Sequence, residues 1–380
     1  MSVKRVFPGA VPRSDGAAAA VEKGNLLWVS SLTPTPPPQG APVPPVTAQV
    51  GDVLSQLDSL LSSASAGRGD VVKTVAFFPP SAVSSHYGAQ EVLSAFFGQT
   101  SPGSTRVMVE ALLQPEALIA LEAVVHRAPG PRRPLASGAG VEKGDMLWLS
   151  GMTGRREVSA AALYPPDLEE QLRILWGHLQ RSLAEAGYSF AHVVKTATYL
   201  VPTALLSYRT VTEWRRALFG SPSPSITEVV VPSLEHATSH VEVEVVAVKA
   251  KKEEVNPRWD RYRELGVSPA VLAGNLLWTS GILPVNPRTM EPVGVGSLAA
   301  QGEQVYTLLG QVVEEAGYSL EDVVKVVEYL TPAALPGRER LDRVRRQFLP
   351  DGGYALSQAV VHRLLYPQLL IQVEAVAIGG

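Results

Sequence analysis

The chain contains no cysteine. Disulfides, thiolate metal sites and cysteine nucleophiles are thereby excluded, and the redox compartment is left open. No apolar run is long enough to span a bilayer. There is no excess of positive charge either. A net charge of -3 leaves no electrostatic footprint for nucleic acid or for an anionic membrane. The glycine-rich signatures GxGxxG and GxxxxGKS/T are missing, so no nucleotide site is indicated. The seven histidines include no HExxH pair. His236 and His240, four apart in SLEHATSH, lie in a segment without helical character and are read as a surface pair, so no metal is expected. The opening residues, MSVKRVFPGAVPRSDG, place Pro and Gly where a signal peptide needs an apolar stretch, and a cytoplasmic location is expected. With 46% hydrophobic and 18% charged residues, the composition suits a protein with an ordinary core.

What is present is repetition. VEKGNLLWVSSLTP starts at Val21, VEKGDMLWLSGMTG at Val141 and VLAGNLLWTSGILP at Val271. DVVKTVAFF, HVVKTATYL and DVVKVVEYL follow in the same order, and each unit closes on an apolar strand: ALIALEAVV, HVEVEVVAV, LLIQVEAVA. Trp28, Trp148 and Trp278 mark a period far longer than the 20–50 residues of a solenoid unit. One small domain is therefore written three times, over residues 1–127, 135–250 and 262–380. RAPGPRRP (127–134) and the charged stretch 249–265 read as connectors, and the Pro-rich TPTPPPQGAPVPP (33–45) as an extended surface loop.

Each copy reads β-β-α-β-α-β-β. The first two strands form a hairpin around a Gly-Asn or Gly-Asp turn. In the second copy Leu172, Leu175, Trp176, Leu179 and Leu183 make a helical stripe; in the third, the corresponding helix stops at Gly317. In HVEVEVVAV the alternation is that of a strand, with Glu242 and Glu244 on one face.

The GN-x4-SG start, the AG…DVVKT middle and the VEAVA end resemble the RidA/YjgF family of reactive-intermediate deaminases, and the resemblance covers almost all of each copy. It implies an α+β fold: three RidA-like (chorismate-mutase-like) β-sheet domains with two helices each, arranged as an intramolecular pseudo-trimer with ligand clefts between neighbours. It also implies a small-molecule substrate, no cofactor, and no nucleic-acid or membrane partner.

The family grips its substrate carboxylate with an Arg early in the penultimate strand, because a guanidinium matches a carboxylate with two parallel hydrogen bonds. That position falls on Arg106, Glu228 and Gln358. The family's catalytic Glu, which positions a water or relays a proton, falls on Ala120, Glu242 and Gln372. A second Glu recurs in all three copies as Glu122, Glu244 and Glu374, and suggests a structural duty such as pairing with Lys73, Lys195 and Lys325. The Ser-Gly turn survives as Ser150-Gly151 and Ser280-Gly281, but is Ser30-Ser31 in the first copy. The family's early Tyr becomes Ala17, Ser137 and Val267; its frequent Cys becomes Met108, Val230 and Val360.

On this alignment Glu228 and Glu242 are the candidate catalytic pair, two carboxylates expected to share one cleft and divide the roles of acid and base. Arg106 is the candidate anion contact, with Glu122 as its alternative partner. Ser150, Gly151, Ser280, Gly281, Gln358 and Gln372 are the remaining candidate substrate contacts. Three readings follow: a diverged enzyme acting by carboxylate acid/base chemistry on a small carbonyl, imine or enamine-like metabolite, for which a step in a small-molecule biosynthetic pathway is a suitable setting; a non-catalytic ligand-binding or scaffold protein; and a retained 2-imino acid deaminase. The last ranks lowest, because no single copy holds both the Arg and the catalytic Glu; a cleft uniting Arg106 with Glu242 would raise it. Chorismate-converting enzymes, with a related trimer-like fold, would need a cationic pocket where Arg106 alone is in evidence. If one chain completes the ring, sedimentation should find a monomer near 40.5 kDa; a stable trimer of chains would contradict it.

Overall fold

The computed structural model describes residues 4–7, 15–156 and 163–380. Within them lie three mixed sheets of one design. In the second copy the hairpin Gly140–Lys143 and Met146–Leu149 pairs with the last strand, Val241–Val248. The last strand pairs with the middle strand, Val193–Leu200, and the middle strand runs parallel to the penultimate strand, Ser225–Val230. The crossover between these two parallel strands carries the helix Tyr208–Phe219. The first and third copies repeat the order. The hairpin turns depend on glycine: Gly24, Gly144 and Gly274 have φ of 65, 60 and 62°, in the left-handed region that side chains disfavour.

The connectors do more than connect. Arg132–Pro134 adds an edge strand to the second sheet, and Lys252–Val255 adds one to the third before a short helix, Asp260–Glu264. Arg5–Phe7 does the same for the first sheet. The charged stretch 249–265 is thus more than a connector: Val255, Trp259 and Tyr262 are buried.

Both faces of each sheet are covered. One face packs on the copy's own two helices, as with Leu172, Leu175, Leu179 and Leu183 against Val243 and Val245. The long helix Leu168–Glu185 is capped by Asp167, which accepts from the Glu170 N–H. The other face turns to a common axis, where Val72, Val194 and Val324 meet the three tryptophans in one cluster drawn from all three copies. Trp28, Trp148 and Trp278 stand edge to face around the axis, with ring centroids 5.6–6.0 Å apart. The middle strands are consequently buried at every position, which explains why VVKTVAFF, VVKTATYL and VVKVVEYL read as almost unbroken apolar runs.

The lysine in each run has a specific cause. The pairing register slips between Val71 and Lys73, Val193 and Lys195, and Val323 and Lys325. A bulge of this kind lets two successive residues face the same side. The valine and the lysine therefore both reach the axis. Each lysine crosses to the next copy: Lys73 to Glu244 at 2.6 Å, Lys195 to Glu374 at 2.8 Å and Lys325 to Glu122 at 2.7 Å. A hydroxyl from its own copy (Thr105, Thr227 or Ser357) and a carbonyl from the next (Leu149, Thr279 or Val29) complete its three donors. The recurrent Glu thus does pair with the recurrent Lys, and it does so between copies.

Burial opposes charge here, and it holds the Lys195 pKa below the ordinary lysine value even with Glu374 beside it. Removing one partner of such a buried pair typically costs about 3–5 kcal/mol. Lys195→Met should therefore lower the urea midpoint of the chain clearly, and adding Glu374→Gln should recover part of the loss. An unchanged midpoint in the single variant would refute the role assigned to this ring.

Candidate functional site

Each cleft has two parents. The penultimate strand of one copy lies against the Ser-Gly turn of the next: the Ser150 hydroxyl accepts from the Ser104 N–H at 3.0 Å, and the Ser280 hydroxyl from the Ile226 N–H at 2.8 Å. Ser30 does the same for Leu356, closing the ring from third copy to first. In this structure the Ser150 and Ser280 hydroxyls are spent on joining copies. Gly151 and Gly281 are required by close approach. A Cβ on Gly151 would stand 1.8 Å from Glu242 Oε1, and one on Gly281 2.0 Å from Gln372 Nε2. Any side chain there would push the cleft residue aside.

This geometry corrects the carboxylate pair. The strands of Glu228 and Glu242 do not neighbour one another, because Val193–Leu200 runs between them. Glu242 faces the first copy, where its pKa responds to Arg106 and Lys73. Glu228 faces the third and lines a cavity with Gly281 and Gln372. It is also held within its own copy, accepting from Arg215 Nη1 at 2.6 Å and from the Tyr208 hydroxyl. The amide pair is divided in the same way. Gln358 turns back to donate to Glu328 at 2.5 Å, and Glu328 is gripped by the fully buried Arg345. The clefts therefore hold Arg106 with Glu242, Glu228 with Gln372, and Gln358 opposite Ala120.

The first of these combines the two residue types that no single copy contains. Arg106, half-buried on Gly103–Met108, does not pair with Glu122. Its Nε and Nη2 donate to Glu235 of the second copy at 3.0 and 2.6 Å. Glu242 is 7% exposed. Burial first, then the charges of Glu244 and Glu235, push its pKa up from 4.5 to about 8; Arg106 and Lys73 pull the other way without prevailing. Its neighbour Glu244 behaves oppositely. Burial works against that carboxylate too, yet Lys73, Thr105 and Tyr199 hold its pKa below the ordinary value. Two glutamates two residues apart are thus pushed in opposite directions, the axial one towards the carboxylate and the cleft one towards the neutral acid.

Sequence reasoning missed two residues here. Glu235 matches Leu113 and Leu365 in the other copies, and this lone charge at a leucine position was the available signal. Tyr164 is near enough to feel the charge of Glu242, with its hydroxyl 3.0 Å from Thr153 Oγ1 and its ring 4.6 Å from that of His236. Burial raises its pKa, and the charges of Glu242 and Glu235 add to the rise. A depression of about 790 Å³ leads away from Gly151 and Thr153 past Arg155, Arg156 and Arg181.

Comparison with known proteins agrees with the architecture. The model of the family described as Endoribonuclease L-PSP matches residues 125–249 and 264–379, more than half of the chain. The chain belongs to this family, the RidA/YjgF group. The first copy falls almost wholly outside the matched residues. A RutC family protein from Pyrococcus horikoshii is 34% identical over 110 residues, which is 29% of this chain and 84% of that protein. One from Synechocystis is 28% identical over 109 residues, 29% of this chain and 82% of that protein. A solved YjgF family structure from Mycobacterium tuberculosis covers 33% of this chain and 99% of its own, at 25% identity and a TM-score of 0.29. A chorismatase structure covers 82% of this chain and 94% of its own with a TM-score of 0.53. At 13% identity that likeness is one of fold. Among the described residues no helix is long and apolar enough to cross a membrane.

The raised Glu242 pKa has a measurable sign. Below pH 4.5 the carboxyl is protonated in folded and unfolded chains alike. Between 4.5 and about 8 the unfolded chain releases the proton and the folded chain keeps it, so stability falls as pH rises and levels off above 8. The melting temperature of Glu242→Gln relative to the unsubstituted chain should therefore rise from pH 5 to pH 8.5. A constant difference would mean that Glu242 titrates normally.

Proposed function

We propose that the cleft between the first and second copies hydrolyses 2-imino acids to 2-oxo acids and ammonia. The observation that carries this reading is the meeting of Arg106 and Glu242 from two copies in one cleft. It reverses the ranking drawn from each copy alone, and it replaces the Glu228–Glu242 mechanism, since those carboxylates serve different clefts.

The chemistry suits the residues. Arg106 binds the substrate carboxylate, displacing or sharing Glu235, and so fixes the imine carbon. Glu242, protonated near neutral pH, gives its proton to the imine nitrogen. Water adds to the carbon and returns a proton to the Glu242 carboxylate, leaving a carbinolamine with one hydroxyl and one amino group. Glu242 then protonates the amino group. The C–N bond breaks, ammonia leaves, and the hydroxyl proton passes back to Glu242 as the carbonyl forms. The acid ends as it began, and no cofactor enters the balance. The depression carries three arginines, of which Arg156 is paired with Glu170, against one carboxylate, Glu185, and this excess of positive charge favours an anionic substrate.

The test is ammonia release from 2-iminopropionate or 2-iminobutyrate generated in situ. Turnover should exceed spontaneous hydrolysis and decline above about pH 8. Glu242→Gln should lower kcat by roughly 10²–10⁴. Arg106→Ala should act mainly on KM, and Glu235→Gln should lower KM by freeing the guanidinium. A rate equal to the spontaneous one across pH 6–9 would overturn the proposal and leave the cleft as a binding site without catalysis.

A further inference from the structure

The cleft between the second and third copies has the family's position but not its chemistry. It opens into a cavity of about 390 Å³, within the size range of small-molecule sites. Its walls come from the second copy and from the third, whose leading segment supplies Tyr262 and Leu265. Most of the lining is apolar or aromatic, with Tyr208, Tyr262, Tyr366 and Met290 prominent.

Two polar groups in this lining lack partners. Gln372 is 3% exposed; its Nε2 donates to the Gly281 carbonyl at 3.2 Å, but its Oε1 accepts nothing. Arg215 is 4% exposed; its Nη1 holds Glu228, but its Nε has no acceptor. Buried polar atoms in native proteins are nearly always paired, so an orphan acceptor and an orphan donor lining one cavity point to a missing molecule. Charge narrows its identity. Glu228 is neutralised by Arg215. Arg363 is the cavity's other cation; its Nε donates to the carbonyl of Leu364 at 3.3 Å, and among the described residues no carboxylate forms an ion pair with its guanidinium.

We infer that this cleft is a second ligand site, which takes a planar aromatic monocarboxylate bearing an N–H or O–H group. The carboxylate meets Arg363, the ring lies among the tyrosines, and the ligand donor completes Gln372. The site binds without turning over. Its one carboxylate is clamped by Arg215 and Tyr208, and a glutamine stands where the first cleft has its acid. An amide cannot relay a proton. The inference does not depend on the deaminase reading, which concerns the other cleft.

Indole-3-acetate and 4-hydroxyphenylacetate are suitable probes, titrated calorimetrically into the full chain. Saturable one-site binding is expected. Indole-3-acetamide, which lacks the charge, and the Arg363→Met chain with indole-3-acetate should each bind about tenfold more weakly. Gln372→Leu should weaken both acids by a similar factor. Leu265→Trp, a substitution at an exposed part of the rim that does not disturb the core, should block them. Glu242→Gln should leave binding unchanged. The inference fails if neither acid binds at millimolar concentration. It also fails if affinity is indifferent to both Arg363→Met and Leu265→Trp, or if Glu242→Gln abolishes binding, which would place the probes in the first cleft.

Discussion

Everything in this molecule hangs on three buried lysines. Each sits at a strand bulge that turns it towards the axis, and each spends all three of its N–H groups there: one on a glutamate, one on a hydroxyl, one on a main-chain carbonyl. The glutamate and the carbonyl belong to the next copy, so satisfying the charge and assembling the ring are one event. A lysine left without its neighbour would carry an uncompensated charge in an apolar cluster, which is strongly unfavourable. The tryptophans pack the same axis but could be exchanged for other apolar bulk. The ion pairs could not be exchanged singly.

That ring fixes which strand meets which, and so decides what each cleft contains. The penultimate strand of one copy is pressed against the Ser-Gly turn and last strand of the next. The guanidinium of Arg106 and the acid of Glu242 thereby arrive together from opposite ends of two units. The same ring adds to the effect of burial in raising the Glu242 pKa. Glu244, two residues along the strand, takes the axial lysine and keeps its charge. Glu242 remains near that negative charge, is buried, and keeps its proton.

Much of the fold could be read from the amino acids. The repeat, the element order, the outer helices and the Lys–Glu pairing all followed from patterns within each unit. What escaped was anything that arises between units. Glu228 and Glu242 were assigned to one cleft because both belong to the second copy, whereas each cleft takes one of these positions from each of two copies. No periodicity within a strand reports which neighbour it faces. Glu235 and Tyr164 escaped because they lie in loops where copy-to-copy differences look like drift. The edge strands Arg132–Pro134 and Lys252–Val255 escaped because charge and proline usually mark solvated connectors, and a strand at a sheet edge tolerates both.

The Ser-Gly contact of each copy with the strand before it gives the ring a direction, and this makes the linear order of the repeats informative. A trimer of the second unit alone would set Glu228 against Glu242 in every cleft, two carboxylates whose nearest cation, Arg215, is already bound to Glu228. A trimer of the first would set Arg106 against Ala120, and a trimer of the third would set one glutamine against another. Exchanging the second and third units within the chain would seat Arg106 opposite Gln372. Only the cyclic order found here brings the Arg106 guanidinium to the Glu242 carboxyl. The gene thus stores the Arg106–Glu242 pair as syntax, in the order of its repeats, and a homologue with two of the units exchanged would keep the fold and lose the pair.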